Sequence, residues 1–361
     1  MTFTLTFLAA FLVSLILTPI TIVLAKKFKF VDDPKLRKHP ALIHKVVTAR
    51  AGGVPIFLAF LLVSILLVEP SKKLAGILLG GWILVLVGLI DDKAELPSIV
   101  RLLFQFLAAL VVVASGVGIA FIPNPVSALL GQGYDVIRLD TIRLSFEFFG
   151  NHSLLLLADL FALFWIVWVI NMVNFSSGVD GQMPGIVIVT LMVIFVASLR
   201  FYPHDPSQTV VSQLALIGAG SALGFLIFNF YPAKIFPGDS GSYFLGFLVA
   251  VVAILSGAKV GTAILVMAIP LIDGVFTIIR RLVSGKSPFL GDRKHLHHRL
   301  IELGWSQRRV ALFYWFLCAI LGAAALQLAS IEKLFAAVVV AVIVLGGLVW
   351  LNMNLPQKAR R

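Results

Sequence analysis

Long apolar runs separated by short polar segments make up most of the chain. An α-helix needs about 20 apolar residues to cross a bilayer. Eleven runs approach that length, roughly at 3–25, 53–69, 74–90, 100–121, 153–173, 184–201, 210–229, 241–257, 261–280, 310–328 and 334–353. The pattern predicts an all-α polytopic membrane protein with one transmembrane domain over residues 1–361. The first run is too long and too weakly charged at its start for a cleaved signal peptide, so we interpret it as a retained helix.

The basic residues divide unequally between the two sides of this predicted bundle. Counting the connections alternately assigns these segments to one side: 26–52, 91–101, 171–183, 229–242, 280–309 and 354–361. They contain 22 of the 29 Lys and Arg residues. Because Lys and Arg accumulate in cytoplasmic loops, we predict that this side is cytoplasmic, with the N-terminus outside and the C-terminus inside.

The longest outer connection, at about 122–152, contains two segments of alternating apolar and polar residues, 131–140 and 142–149. Such alternation is typical of strands, so we predict a small outer β-hairpin.

Composition supports the membrane interpretation. Charged residues make up 13% of the chain, against about 25% in a soluble domain. The net charge of +12 follows from the positive-inside bias, so we predict the lipid bilayer and no nucleic acid as a partner. The single cysteine, Cys318, excludes an internal disulfide and is interpreted as a small buried hydrophobe.

A short polar segment, Phe236-Pro-Gly-Asp-Ser-Gly-Ser242, precedes the eighth apolar run. Its carboxylate, Asp239, stands among small residues at a membrane helix end, which suits a divalent cation and the close approach of a phosphate. A simple turn uses the same residue types, so the segment alone is weak support for a metal site.

Two further acidic positions mark the predicted cytoplasmic side. Asp91 and Asp92 end the third run, where like charges repel and the helix dipole disfavours them. They indicate a cation site, or alternatively a solvated pair neutralised by Lys93 and Arg101. Asp273 lies about 10 Å below the end of the ninth run, where an ionisable group is a functional candidate. The alternative is a buried aspartate that is hydrogen-bonded by a neighbouring helix.

Amides and a carboxylate close the fifth run. Asn171 and Asn174 lie on one helix face, and Asp180 follows between Gly178 and Gly181. These groups can bind a metal, a sugar amide or a nucleobase, whereas capping of the helix end is the structural alternative.

Basic residues and histidines fill the last cytoplasmic loop and recur in the first. The last loop carries Arg293, His295, His297 and His298 among other basic residues. Zinc is one interpretation of such histidines. The surrounding positive charge opposes a cation and favours a diphosphate, or alternatively anionic lipid headgroups. Carboxylates for Mg²⁺ beside cations for phosphate together predict phosphoryl transfer to a membrane-borne molecule.

Taken in order, these motifs resemble the polyprenyl-phosphate N-acetylhexosamine-1-phosphate transferases (glycosyltransferase family 4) over about residues 30–305. That family includes the phospho-N-acetylmuramoyl-pentapeptide transferase. The matching motifs are Val31-Asp32 to Pro34, Arg50-Ala-Gly-Gly53, Gly88-Leu-Ile-Asp-Asp92, Asn171 to Gly181, Phe236 to Ser242, and Asp292 to Leu300. The form His-Leu-His-His-Arg-Leu at 295–300 is similar to the branch that uses UDP-GlcNAc.

The resemblance implies transfer of HexNAc-1-phosphate, GlcNAc-1-phosphate above all, from a UDP-sugar to undecaprenyl phosphate, with release of UMP. It implies Mg²⁺, or alternatively Mn²⁺, an active site on the cytoplasmic side of the cell membrane, and compatibility with a homodimer. By this resemblance Asp239 binds the metal, and Asp91 and Asp92 are catalytic. The nucleotide-sugar is bound by Asn171, Asn174, Asp180 and Phe236. The diphosphate or sugar contacts Arg293, His295, His297 and His298, and the lipid phosphate contacts Lys45 and Arg50.

Two positions depart from the family pattern. Ser177 stands where the family has an aspartate, and Val47-Thr-Ala-Arg50 replaces the usual Pro-x-Pro-Arg. We keep as alternatives a transporter or flippase for a polyprenyl-linked or anionic solute, a phospho-MurNAc-pentapeptide transferase, and an inactive membrane scaffold.

Overall fold

The computed structural model describes residues 2–35, 46–124, 136–147, 151–201, 205–257, 260–285, 287 and 294–354. The helices of these residues are α1 Thr2–Lys27, α2 Gly53–Leu67, α3 Lys72–Ala94, α4 Ser98–Ala114, α5 Leu156–Phe175, α6 Gln182–Leu199, α7 Gln208–Asn229, α8 Gly238–Leu255, α9 Val260–Val266, α10 Ala268–Val283, α11 Leu296–Glu302, α12 Gln307–Gln327 and α13 Ser330–Asn354. The strands are β1 Val31–Asp32, β2 Thr48–Arg50, β3 Phe121–Pro123, β4 Val136–Arg138, β5 Arg143–Glu147, β6 Asn151–Leu155 and β7 Ile235–Phe236.

The length and apolarity of the helices confirm an all-α polytopic membrane protein. Among the described residues, eight helices are long and apolar enough to span a bilayer, and α9 with α10 forms a pair bent by 80° that is either a broken span or a re-entrant segment. Helices α2 and α4 are shorter, with 15 and 17 residues. Every predicted run overlaps one of these helices or the bent pair, while the number of spans and their orientation stay predictions.

Helix α8 is the centre of the bundle. Each residue from Ser240 to Ile254 is buried, as expected for a helix that is apolar on all sides. It packs against α3 and α5, and also against α2, α6 and α7. Helices α1 and α13, in contrast, expose many apolar side chains at the periphery of the bundle, where lipid would cover them. The residues that precede α8 are therefore held by the most enclosed element of the fold.

Two glycines allow α2 and α3 to approach the first turn of α8. A side chain at Gly53 would meet the backbone of Ser240, and a side chain at Gly88 would meet Ser240 from the other side. The glycine at the start of α2 therefore has a packing reason. Its neighbour Gly52 donates its N–H to the carbonyl of Phe236 at 3.1 Å.

A small three-stranded sheet connects the first loop of the chain to the segment before α8. Strand β1 pairs antiparallel with β2, and β2 pairs parallel with β7. In this register Arg50 stands opposite Phe236. The sheet therefore carries Arg50 to the N-terminal end of α8.

The connection at about 122–152 contains strands and a small hairpin, as predicted, and its strands form two antiparallel pairs. Strand β4 pairs with β3, and β5 pairs with β6 in a hairpin of its own. The two alternating segments therefore do not pair with each other. Alternation marks a segment as a strand but does not select its partner, which depends on local turns and neighbouring chain.

Candidate active site

Five of the predicted site residues form one network at the N-terminal end of α8. They come from β2, from the C-terminal ends of α3 and α5, and from α8 itself, and they are Arg50, Asp91, Asp92, Asn174 and Asp239. Each lies on a segment that the sequence assigns to the predicted cytoplasmic side.

Asp239 lies in the first turn of α8 and is the most exposed carboxylate of the network, with 14% of its side chain accessible. Its Oδ1 accepts a hydrogen bond from Asn174 Nδ2 at 2.8 Å. Its Oδ2 accepts one from an Arg50 terminal nitrogen at 2.7 Å. A carboxylate offers about four lone-pair positions, so about two remain for a ligand.

Asp92 is fully buried and saturated with donors. Its Oδ1 accepts the N–H of Asp239 at 2.8 Å and contacts Arg50 Nε at 2.7 Å. Its Oδ2 accepts the N–H and the hydroxyl of Ser240 at 3.3 and 2.9 Å. Asp92 therefore caps α8, since the first N–H groups of a helix have no partner within the helix. The carboxylate also lies against Gly238, which has a left-handed φ of 65°.

Arg50 joins Asp92 to Asp239, and 13% of its side chain is accessible. Burial by itself lowers the pKa of this guanidinium, but the carboxylates of Asp92 and Asp239 outweigh burial and raise the pKa above its ordinary value. Arg50 is therefore charged at every pH at which the protein is folded.

Asp91 is held by three donors and is nearly inaccessible. Its Oδ1 accepts the Leu96 N–H at 2.7 Å, and its Oδ2 accepts the Tyr243 hydroxyl at 3.0 Å and contacts Arg101 at 3.4 Å. The alternative interpretation of Asp91 and Asp92 as a solvated pair is therefore wrong, because both side chains are buried. Its predicted contact between Arg101 and Asp91 is present. Lys93 lies instead over the ring of Phe30, 5.0 Å from its centroid.

The two asparagines of α5 have different partners. Asn174 donates to Asp239 and to the hydroxyl of Ser242. Asn171, one turn earlier, donates to Gln105 of α4 at 2.7 Å and to its own helix. Ser177 donates to the carbonyl of Asn174 at 2.6 Å, which closes the end of α5.

Asp180 contacts the loop that leads into α8, and Phe236 lies within that loop. Asp180 accepts the N–H of Ala233 at 3.0 Å, and the next residue, Gly181, donates to Asn229 at 3.0 Å. Phe236 is half-buried on β7, directly before the turn that carries Asp239. These contacts hold the fifth-run motif against the segment before α8.

The three histidines are buried beside the end of α5. Asp273 accepts hydrogen bonds from His295 Nδ1 at 2.9 Å and from the Leu296 N–H at 3.0 Å. The ring of His297 is parallel to that of His295, with centroids 5.4 Å apart, and lies 4.3 Å from that of His298. A side chain at Gly178 would collide with the His297 ring. The last loop and the fifth-run motif therefore meet, and Asp273 positions His295.

Burial lowers the pKa of His297, and the neighbouring His298 and His295 lower it further. Its Nδ1 is buried and has no hydrogen-bond partner among the described residues. His297 is therefore neutral in the folded protein at neutral pH.

Lys45 and Arg293 lie outside the described residues. Sequence reasoning missed Tyr243 and Gln105, which hold Asp91 and Asn171. Tyr243 could have been found from its position four residues after Asp239, which places both side chains on one face of α8.

The donor set fits Mg²⁺ or Mn²⁺ better than zinc. The accessible groups are carboxylate and amide oxygens, and Mg²⁺ often takes only one or two protein carboxylates together with substrate phosphates. Within the described ranges, no group of three or more His, Cys, Asp and Glu side chains is placed to hold a metal ion. A closed histidine site for zinc therefore finds no support in this part of the chain.

A known protein family matches the part of the chain that contains most of this network. The profile of glycosyl transferase family 4 matches residues 74–257, a range that includes Asp91, Asp92, Asn174 and Asp239. The chain belongs to this family.

Curated relatives match nearly the whole chain. A protein of Bacillus subtilis (strain 168), described as a probable undecaprenyl-phosphate N-acetylglucosaminyl 1-phosphate transferase, is 30% identical over 334 residues, which cover 90% of this chain and 84% of that protein. The decaprenyl-phosphate N-acetylglucosaminephosphotransferase of Mycobacterium leprae is 30% identical over 88% of this chain and 82% of its own length. The phospho-N-acetylmuramoyl-pentapeptide-transferase of Bacillus licheniformis is 29% identical over 88% and 95%.

Proposed function

We propose that this enzyme transfers HexNAc-1-phosphate, GlcNAc-1-phosphate above all, from a UDP-sugar to a polyprenyl phosphate and releases UMP. The relatives from Bacillus subtilis and Mycobacterium leprae carry names of this reaction. The observation that carries the proposal is Asp239, the most exposed of three clustered carboxylates, at the end of the central membrane helix. A site at the end of a membrane helix would be accessible to both a soluble nucleotide and a lipid headgroup.

Asp239 is the residue proposed to hold Mg²⁺, with Mn²⁺ as the alternative, because about two of its lone-pair positions remain free. When bound, the metal supplies electrostatic stabilisation of the charge on the diphosphate. Asn174 orients this carboxylate through Oδ1. Asp92 is proposed to act as a positioning residue, because its four donors leave no lone pair for a proton or a metal.

Asp91 is the proposed base. It has three donors and therefore keeps one lone pair, whereas Asp92 keeps none. In the proposed reaction, an oxygen of the lipid phosphate forms a bond to the β-phosphorus of the UDP-sugar. The bond from that phosphorus to the bridging oxygen breaks, and UMP leaves with the electron pair. The proton of the lipid phosphate passes to Asp91, so that the attacking oxygen is an anion.

The remaining groups are proposed to bind the donor. Phe236 is proposed to pack on uracil, with Asn171 and Asp180 lining the nucleotide-sugar site. Arg293 and the three histidines are proposed to contact the diphosphate or the sugar. Lys45 and Arg50 are proposed for the lipid phosphate. Ser177 supplies a hydroxyl where the family has a carboxylate, so a different donor affinity is expected here.

The proposed location is the cell membrane, with the site on its cytoplasmic side, and a homodimer is compatible with the proposal. The distribution of Lys and Arg supports this orientation.

The test is UMP release by purified protein given polyprenyl phosphate, Mg²⁺ and a panel of UDP-HexNAc donors. We expect release with UDP-GlcNAc, and at least a hundredfold loss in Asp239→Asn, which removes a metal ligand with little change in shape. Glu69→Gln, at an exposed carboxylate just past the end of α2, is the matched control and should keep full activity. Full activity of Asp239→Asn would overturn the metal assignment. Absence of UMP with every donor would overturn the function.

A further inference from the structure

Arg50 lies against Asp239, the carboxylate proposed to hold the metal ion. Its backbone is fixed, because its N–H donates to Phe30 at 2.9 Å and β2 pairs with both β1 and β7. Its guanidinium contacts Asp92 through Nε and Asp239 through a terminal nitrogen, both at 2.7 Å. One side chain therefore spans the capping carboxylate and the proposed metal ligand.

The carboxylates need this cation when no metal is present. Asp91, Asp92 and Asp239 all act on the charge of Arg50, and buried like charges without a partner are strongly destabilising. A guanidinium does not lose its proton under these conditions. Arg50 can therefore leave Asp239 only by moving.

Arg50 and a divalent cation bound to the same carboxylate would repel each other. Mg²⁺ binds carboxylate oxygen at about 2.0–2.1 Å, and two cations on Asp239 Oδ2 would repel each other in a poorly screened site. The contact with Asp92 does not conflict with the metal in this way. The arginine side chain is long enough to keep that contact while its terminal nitrogens turn away.

We propose that Arg50 is a displaceable internal counter-ion, which neutralises Asp239 in the metal-free protein and moves off it when the divalent cation binds. The inference rests on the proposed function, in which Asp239 is the metal ligand. It makes Arg50 an antagonist of metal binding, whereas a residue that only shapes the metal site would favour binding.

The test measures Mn²⁺ binding to full-length protein in detergent without nucleotide, from the loss of the free Mn²⁺ signal in electron paramagnetic resonance. This readout is independent of turnover. Arg50→Gln removes the charge and keeps hydrogen-bonding groups. Arg299→Gln is the matched control, because Arg299 is also buried but pairs with Glu302 and Asn352.

We expect Arg50→Gln to bind Mn²⁺ at least about tenfold more tightly than the unmodified protein, the effect of about 1.4 kcal/mol. Arg299→Gln should leave the affinity unchanged. Equal or weaker binding by Arg50→Gln, or binding undetectable in both proteins, would overturn the inference. If Arg50→Gln cannot be purified, Arg50→Lys decides, because its single ammonium group cannot reproduce both contacts. Tighter binding supports the inference, and equal or weaker binding overturns it.

Asp239→Asn separates this inference from the proposed function. If Asp239→Asn abolishes Mn²⁺ binding while Arg50→Gln leaves it unchanged, the metal site stands and the inference fails. The double variant combines Arg50→Gln with Asp239→Asn. If it still binds Mn²⁺ as tightly as Arg50→Gln alone, Asp239 is not the ligand, and both the metal assignment and the inference fail.

Discussion

At the residue scale, three carboxylates of the same kind differ in how many donors surround them. Asp92 has four, Asp91 has three and Asp239 has two. Each donor removes a lone pair from the chemistry that a carboxylate can perform. By this count Asp92 is a helix cap, Asp91 the proposed base and Asp239 the proposed metal ligand. The residue type alone does not distinguish these three roles.

His297 leads to a prediction of pH dependence. Its pKa is lowered in the folded protein by burial and by its histidine neighbours, whereas in the unfolded chain it returns to about 6.5. The unfolded state therefore binds an extra proton below that pH, so the stability contributed by neutral His297 is present above about pH 6.5 and is lost as the pH falls. The expected loss of stability therefore grows as the pH falls from about 6.5 towards 5.

The measurement is the apparent melting temperature in detergent between pH 5 and pH 8. His297→Gln should melt at a lower temperature than the unmodified protein at pH 8, where only packing is lost. Its melting temperature should then fall less towards pH 5. Parallel curves for the two proteins would contradict the prediction.

At the scale of elements, the N-terminal turn of α8 is the point where β2, α2, α3 and α5 meet. Helices α2 and α3 can approach this turn because Gly53 and Gly88, which both face the backbone of Ser240, have no side chain. Asp92 then reaches the first N–H groups of α8 because α3 lies close enough. The packing of the helices and the capping of α8 are therefore one arrangement.

Gly88→Ala tests this arrangement. The added methyl group would overlap the Ser240 backbone, and such overpacking costs about 1–3 kcal/mol. We expect a lower melting temperature together with reduced transferase activity, because the displaced turn carries Asp239. Gly347→Ala in α13 is the matched control, since nothing lies within 4 Å of its added carbon, and alanine stabilises helices by up to about 1 kcal/mol. Equal melting temperatures for the two variants would contradict the expected overlap between the added methyl group and the Ser240 backbone.

At the scale of the whole molecule, the alternation of membrane helices collects the polar ends of α3, α5 and α8 on one side. The bundle then combines enclosed apolar walls with a cluster of polar groups at that end. Phosphoryl transfer to a lipid needs this combination, since the acceptor headgroup lies at the membrane surface while its chain stays in the bilayer.

Single-cysteine labelling tests the predicted orientation. Cys318 is fully buried in α12, so the unmodified protein should remain unlabelled by a membrane-impermeant maleimide. Arg138→Cys, on the exposed β4, should be labelled in intact cells. Lys234→Cys, exposed in the loop before α8, should be labelled only after permeabilisation. The reverse pattern would place the candidate site outside.

The class of protein could be predicted from the sequence alone, because bilayer thickness translates directly into runs of about 20 apolar residues. The sequence also selected the family, since the order of the short motifs survives where overall identity is about 30%. The cluster of Asp91, Asp92, Asn174 and Asp239 followed from the same alternation of spans. The presence of outer strands followed from their alternation, but their partners did not, because partners depend on turns that the period does not encode.

The hydrogen-bond partner of each polar group, in contrast, depends on the tertiary structure. Asp92 caps a helix 147 residues away, and Arg50 reaches a carboxylate 189 residues away. Asp273 and His295, which the sequence treats as separate candidates, form one pair. Hydrogen-bond partners at such separations depend on helix packing and on close contacts at glycines, and neither local propensity nor periodicity carries that information.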